Sequence, residues 1–335
     1  MSEKIIPVFI IGAARNGTTS LTNIISDFSE IVGIEHELHR GNHEAKLYGN
    51  YAYHGDISKP DKYIDFLYHY ASGDYFQLAE GNLEFHLENP RNNFFEFYFD
   101  MMNHCCHTLE KGFWMAKLDS AFFTDSKTFE FFLRTLYEFY DEVKFIRIQR
   151  DFEPALISAQ FMPGKNHARP RKGLFKYYGI LGYTQQWFKT YLLKTNFLND
   201  SELLHIRFDD LINDKQKVQN KIRSYLGLSK EFALGEPKPY TINTSFSKHK
   251  KSKMSKSDRL VAYGYLSILK TFPSLAIIGQ YINQAFLKRK PIDPIDRRLL
   301  KRQFFKEHLK VEFNKLGTFG LAEKMSEELQ KSKKS

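Results

Sequence analysis

Residues 8–20, Val-Phe-Ile-Ile-Gly-Ala-Ala-Arg-Asn-Gly-Thr-Thr-Ser, constrain this chain more than any other segment. Val8–Ile11 is a short apolar run that stops at glycine, the pattern of a buried parallel strand. From Thr18 onward, Leu21, Ile24, Ile25 and Phe28 recur at helical spacing. Strand, glycine loop and helix in that order gather backbone N–H groups and a helix N-terminus around one point, which is a seat for an anion. Gly12 and Gly17 enclose four residues, and Thr18 and Thr19 follow, so the loop is like a Walker A loop except that Thr18 holds the lysine position. A nucleoside triphosphate needs that lysine and a Mg²⁺ ligand at fixed places. Here the basic residue is Arg15, inside the loop, and a donor with a single bridging phosphate suits that arrangement. The plain alternative is a glycine turn that only joins strand to helix.

The rest of the chain continues the alternation. Further strands are expected at 31–34, 113–116, 143–148 and 203–208. Helices are expected at 60–72, 92–111, 126–140, 154–161 and 177–193, and from the fifth strand through Leu226. Such a pattern predicts an α/β fold: a doubly wound parallel sheet with helices on both faces, opened by a P-loop-like strand–loop–helix. The expected organisation is one domain over 1–257, a helical C-terminal extension of it over 258–325 and a polar tail over 326–335. The polar, Gly- and Pro-rich segment 162–175 reads as a loop or lid.

Charge narrows the partners. The net charge of +10 favours a polyanion, whether nucleotide, acidic glycan, nucleic acid or membrane surface. The aromatic fraction of 16%, made mostly of 31 Phe and 19 Tyr, supplies core and also rings for stacking. The only two cysteines, Cys105 and Cys106, are neighbours and give no disulfide framework, so a reducing compartment is expected. No secretory leader is read at the N-terminus, and 263–286 contains Lys270 and Pro273, which makes it a poor spanning helix. The expectation is a cytoplasmic protein.

Four segments, in the right order, resemble the family of sulfotransferases that use 3′-phosphoadenosine 5′-phosphosulfate (PAPS). Phe9–Leu21 is similar to that family's 5′-phosphosulfate loop, which carries Lys or Arg at the position of Arg15; the resemblance implies donor contacts from Arg15, Asn16, Gly17, Thr18, Thr19 and Ser20. Val143–Ser158 resembles the family's strand ending in Arg, with a turn containing Pro and a Ser eight residues after the Arg. Arg150 and Ser158 hold those positions, and a guanidinium with a helix-borne hydroxyl suits a 3′-phosphate. The competing assignment for Arg150 is a surface ion pair with Asp151.

Leu204–Ile212 resembles a Tyr-Glu-Asp-Leu segment, with Phe208 keeping a stacking face but losing the phenol. Thr244-Ser245-Phe246 is similar to a segment that flanks the adenine in cytosolic members. The family's Arg-Lys-Gly loop does not follow residue 246, and Lys248, Lys250 and Lys251 stand in that region instead.

Sulfuryl transfer requires a base for the acceptor proton and positive charge at the departing phosphate. The resemblance puts Arg15 at that phosphate and needs no metal. Glu35-His-Glu37-Leu-His39 resembles the Glu-x-Glu-x-His stretch of the glycosaminoglycan branch, which implies Glu37 as base with Glu35 and His39 around it. Trp114–Asp119 resembles the Lys-x-His of cytosolic members, with Lys117 matched and Asp119 where histidine stands; Asp119 is the rival base. Lys117 belongs to the site under either assignment. His36, His39 and His43, and His104-Cys-Cys-His107, are histidine-rich but lack a ligand geometry that argues for a metal.

The leading expectation is therefore transfer of a sulfuryl group from PAPS to a hydroxyl, or less readily an amine, of a carbohydrate or glycolipid, without a nucleic-acid partner. Two other classes stand beside it. One is a P-loop kinase, against which the missing lysine counts. The other is a basic protein that binds nucleic acid or a membrane surface through Lys248–Lys256 and the amphipathic region after Tyr263. A combination is also open, in which the enzyme touches a membrane peripherally through its basic C-terminal third.

Overall fold

The computed structural model describes residues 4–25, 28, 30–32, 57–59, 62–63, 85–86, 88–118, 126–160, 175–196, 200–228, 254–272 and 275. In chain order the elements are β1 (Ile6–Ile11), α1 (Thr18–Ile25), β2 (Ile31–Val32), α2 (Phe94–Thr108), β3 (Phe113–Lys117), α3 (Ser126–Phe139), β4 (Lys144–Gln149), α4 (Phe152–Gln160), α5 (Phe175–Asn196), β5 (Leu203–Arg207), α6 (Phe208–Asn213), α7 (Lys215–Leu226) and α8 (Lys256–Thr271).

The five strands among the described residues run parallel in the order β2-β3-β1-β4-β5. The expected parallel α/β sheet is present. Because β1 lies between β3 and β4, the chain winds first to one side of β1 and then to the other. That reversal makes the carboxyl end of β1 the switch point, where open α/β sheets bind ligands.

Alternation along the strands sends side chains to opposite faces. On one face Val8, Ile10, Met115, Ile146, Ile148 and Ile206 pack against Leu21, Ile24 and Ile25 of α1 and Val218, Ile222 and Leu226 of α7. On the other face lies an aromatic core that uses much of the chain's phenylalanine. Phe9 meets Trp114 and Phe132 edge-on with ring centroids 5.2 and 5.3 Å apart, and stacks on Phe145 at 5.5 Å. Phe95 and Phe99 of α2 close over Phe132. Such pairs add about 0.5–1.5 kcal/mol each beyond area burial.

Local chemistry sets the helix starts. Asn93 caps α2, its side-chain oxygen accepting from Phe95 and Glu96 N–H, while Glu96 reaches back to the N–H of Asn92. Pro154 sits in the first turn of α4, where its missing N–H costs nothing. A third apolar cluster joins α4, α5 and α8 through Phe152, Leu156, Ile180, Trp187, Ala262 and Leu266, and it includes Ala13 from the β1–α1 loop.

Cys105 and Cys106 are free and buried on α2, and the thiol of Cys106 donates to Phe113 O. His104 stacks on Phe85 with centroids 4.6 Å apart. Among the described residues no group of three His, Cys, Asp or Glu stands together as a metal cluster, and no helix is long and apolar enough to cross a membrane.

Candidate active site

The β1–α1 loop takes a specific shape. Arg15 has φ 67° and Gly17 φ 96°, so two of three successive residues sit in left-handed backbone. For glycine this is free; for Arg15 it costs about 1–2 kcal/mol. Glycine at 17 is also a matter of space, because a Cβ there would lie 2.3 Å from the Phe208 ring. At Gly12 a Cβ would come within 2.8 Å of the Ile148 carbonyl oxygen, so the loop can leave β1 only by pressing against β4.

Four contacts hold the loop. Asn16 N–H closes a turn onto Ala13 O at 3.1 Å. Leu21 N–H donates to Gly17 O at 3.0 Å as α1 begins. The Tyr183 hydroxyl of α5 donates to Ala14 O at 2.7 Å. Arg15 Nε donates to Ser158 Oγ of α4 at 3.0 Å. Ser158 thus accepts one bond, and its own hydroxyl proton is available to a further acceptor.

Arg150 follows the end of β4 and lies over Phe208, its guanidinium carbon 4.8 Å from the ring centroid. Asp151, next in the chain, is 3.5 Å from Arg207, and its charge acts on Arg150 as well. The Arg150 carbonyl accepts from Trp187 Nε1 at 3.2 Å, which ties α5 to the strand end. Phe208 opens α6 and is buried between Gly17 and Arg150. Lys117 ends β3 opposite Ile10 of β1, on the same edge of the sheet, and is 6% exposed.

The electrostatics of this corner ask for an anion. Burial holds the Arg150 guanidinium below its ordinary range; Tyr183 and Asp209 oppose that shift, and the charge of Arg15 adds to it. Burial pushes the Tyr183 phenol well above the usual tyrosine range, against the pull of Arg150 and Arg15. Two cations in one half-desolvated corner repel each other, and a bound polyanion would relieve both.

Asn16 carries a second sign. It is 1% exposed, and neither its Oδ1 nor its Nδ2 has a hydrogen-bond partner among the described residues. An unmade bond of that kind costs about 1–3 kcal/mol. An orphaned amide in the loop that carries Arg15 fits a phosphate-bearing ligand, for which the N-terminus of α1 supplies further N–H groups.

Of the residues singled out from the sequence, the structure brings Arg15, Asn16, Gly17, Arg150, Ser158 and Phe208 together, with Thr18, Thr19 and Ser20 forming the first turn of α1 and Lys117 one strand away. Glu37, His39, Asp119, Thr244, Ser245 and Phe246 lie outside the described residues, as does the segment 162–174. Tyr183 went unnoticed in the sequence. It stands in a helix with several tyrosines, and its contact with Ala14 spans 169 residues, which no periodicity signals.

A family model described as "Sulfotransferase family" matches residues 7–232. No curated protein matches the sequence. Among solved structures, the chain is similar to the sulfotransferase domain of the Synechococcus PCC 7002 olefin synthase, at 15% identity and TM-score 0.47, covering 81% of this chain and 97% of that one. It is also similar to a sulfotransferase from Mycobacterium tuberculosis H37Rv, at 13% identity and TM-score 0.40, over 79% and 77% of the two chains. A sulfotransferase from Alicyclobacillus acidocaldarius gives 15% identity and TM-score 0.38, over 85% and 96%.

Proposed function

The chain belongs to the sulfotransferase family, and on that premise we propose that it moves a sulfuryl group from PAPS to a hydroxyl of a carbohydrate or glycolipid. Family membership replaces the kinase and the purely binding alternatives as the reading to follow. The observation that carries the proposal is the convergence of Arg15, Arg150 and Ser158 at the switch point of the sheet, with Arg15 hydrogen-bonded to Ser158.

PAPS supplies an activated sulfuryl group on a 5′-phosphate and a 3′-phosphate that marks it as different from ordinary adenine nucleotides. In the proposal the loop N–H groups from Gly17 to Thr19 hold the 5′ end. Arg15 stabilises the negative charge that develops on the departing 5′-phosphate oxygen. Arg150 and the hydroxyl proton of Ser158 bind the 3′-phosphate. Phe208 is the floor of this arrangement, supporting Gly17 from below and the Arg150 guanidinium from its face. Lys117, at the adjacent strand end, adds a cation on the sulfuryl side.

The reaction is an in-line displacement at sulfur. The acceptor oxygen forms a bond to sulfur, the bond from sulfur to the 5′-phosphate oxygen breaks, and the acceptor proton passes to a carboxylate. Glu37 is the proposed base and Asp119 the rival; Asp119 comes two residues after the end of β3, and Glu37 five residues after β2, whose last residue Val32 pairs with Trp114.

The test is transfer of labelled sulfate from PAPS to a panel of glycans, glycolipids and phenols without added metal, with Mg²⁺–ATP as the control donor. Transfer to a glycan or glycolipid is expected. Transfer confined to phenols would overturn the acceptor assignment, and failure to bind 3′-phosphoadenosine 5′-phosphate (PAP) would overturn the donor. Glu37→Gln should abolish turnover while PAP binding stays near wild type; loss in Asp119→Asn alone would transfer the base role to Asp119.

A further inference from the structure

Helix α8 has two unlike faces. Ala262, Leu266 and Leu269 are buried against α4 and α5, with Asp258 buried at the same face. On the outward side Leu260, Ile268 and Phe272 are 76%, 48% and 58% exposed. These residues and Gly264 are spaced by four, so they lie along one stripe. A Cβ built on Gly264 would meet nothing within 4 Å, so the stripe is open at its middle. Lys256 and Lys270 are exposed on the same helix, and Arg259 is paired with Glu153.

The surrounding sequence is strongly one-signed. From Lys248 to Lys290 there are ten Lys and Arg residues and one acid, Asp258, which is buried. That stretch accounts for most of the chain's charge of +10. Nucleic acid would satisfy the cations but gains nothing from exposed Leu, Ile and Phe, since phosphate contacts carry its affinity. A second copy of the chain would cover the apolar stripe only by setting lysines against lysines. An anionic bilayer satisfies both features at once, with apolar side chains entering the headgroup boundary and lysines meeting phosphate and carboxylate groups.

We propose that the outward face of α8 docks the protein peripherally on an anionic phospholipid surface. Leu260, Ile268 and Phe272 insert, and Lys256 and Lys270 supply the attraction. No described helix can cross a bilayer, so the contact is one that lies on the surface. The inference rests on this helix and its charge, and it stands or falls apart from the sulfotransferase chemistry.

Co-sedimentation of the full chain with vesicles is the test. Binding is expected to vesicles of phosphatidylserine and phosphatidylcholine, to fall as salt rises, and to be weak with phosphatidylcholine alone. The triple variant Leu260→Ser, Ile268→Ser, Phe272→Ser should lose about tenfold or more in partitioning, with PAP binding and circular dichroism unchanged. Leu260→Asp, at the most exposed position, is the single variant to use if the triple one does not fold, and the same direction of loss is expected. Partitioning that does not depend on phosphatidylserine, or that survives these substitutions, overturns the proposal. So does a concentration-dependent dimer, or preferential binding of duplex DNA or RNA, that the triple variant abolishes.

Discussion

Arg15 Nε lies 3.0 Å from Ser158 Oγ, a hydrogen bond between residues 143 apart in sequence that fastens the β1–α1 loop to helix α4. It links the residue proposed for the 5′ end of the donor to the residue proposed for its 3′-phosphate. If the two act as one unit, their removal must be non-additive. Ser158→Ala should weaken PAP binding by about tenfold, the scale of one hydrogen bond to a charged group, and Arg15→Ala should weaken it more. The double variant should fall short of the combined losses. Titration calorimetry with PAP measures all three, and strictly additive losses would show that the two side chains work independently.

Gly17 is fixed by conformation and by space together. In Gly17→Ala the new methyl must clear the Phe208 ring, and the backbone must still hold φ 96°. A loss of about 2 kcal/mol or more is expected, as a drop in thermal midpoint. Measured against the Phe208→Ala single variant, Gly17→Ala should cost less, because the clash is gone and only the backbone cost remains. No remaining cost of Gly17→Ala in that background would mean that conformation contributes nothing at this position.

The two thiols should be inert in the native protein. Burial pushes Cys105 up to about 11 and Cys106 up to about 12, the latter also by its neighbour's charge. Thiolate is the reactive form, so both should resist a thiol-specific reagent at neutral pH and react only as the chain unfolds. Labelling followed by mass spectrometry, with and without denaturant, checks this. Fast labelling of either residue under native conditions would contradict its burial.

His86 should make the protein acid-sensitive. It is buried against Phe85 and Phe97, and burial, helped by His104 and Arg91, lowers its pKa from 6.5 to about 3. The folded chain therefore keeps this imidazole neutral where the unfolded chain takes up a proton. Below pH 6.5 the unfolded state binds more protons, so stability is retained above pH 6.5 and lost as pH falls toward about 3. Denaturant unfolding across that window should show the decline, and His86→Gln should flatten it. An unchanged slope in the variant would assign the acid sensitivity to other groups.

The sheet was legible in the sequence because its strands are apolar runs closed by glycine or charge, and burial on both faces leaves little choice of composition. Val8–Ile11 and Phe113–Lys117 follow that rule, whereas Lys144–Gln149 interleaves Phe145, Ile146 and Ile148 with Lys144, buried Arg147 and Gln149. The fifth strand was read one residue too long. Phe208 is aromatic and continues the apolar pattern, yet it opens α6, because its ring fills the space beneath Gly17. The Arg150–Ser158 spacing could be read along the chain, whereas the Arg15–Ser158 bond could not, since it depends on β1 and β4 being neighbours. Tyr183 was invisible for a similar reason: its partner is a backbone carbonyl, and a carbonyl leaves no trace in a sequence.

Arg15 sits where selection for stability and selection for activity pull apart. At φ 67° glycine would relax the backbone at once and release the side chain's tether to Ser158. A screen that rewarded thermal tolerance alone would drift toward that replacement and discard the cation proposed for the donor. Engineers hardening this protein should hold position 15 constant and look for gains elsewhere. Conversely, recovery of arginine there from a randomised library selected only for turnover would reveal what the costly backbone is for.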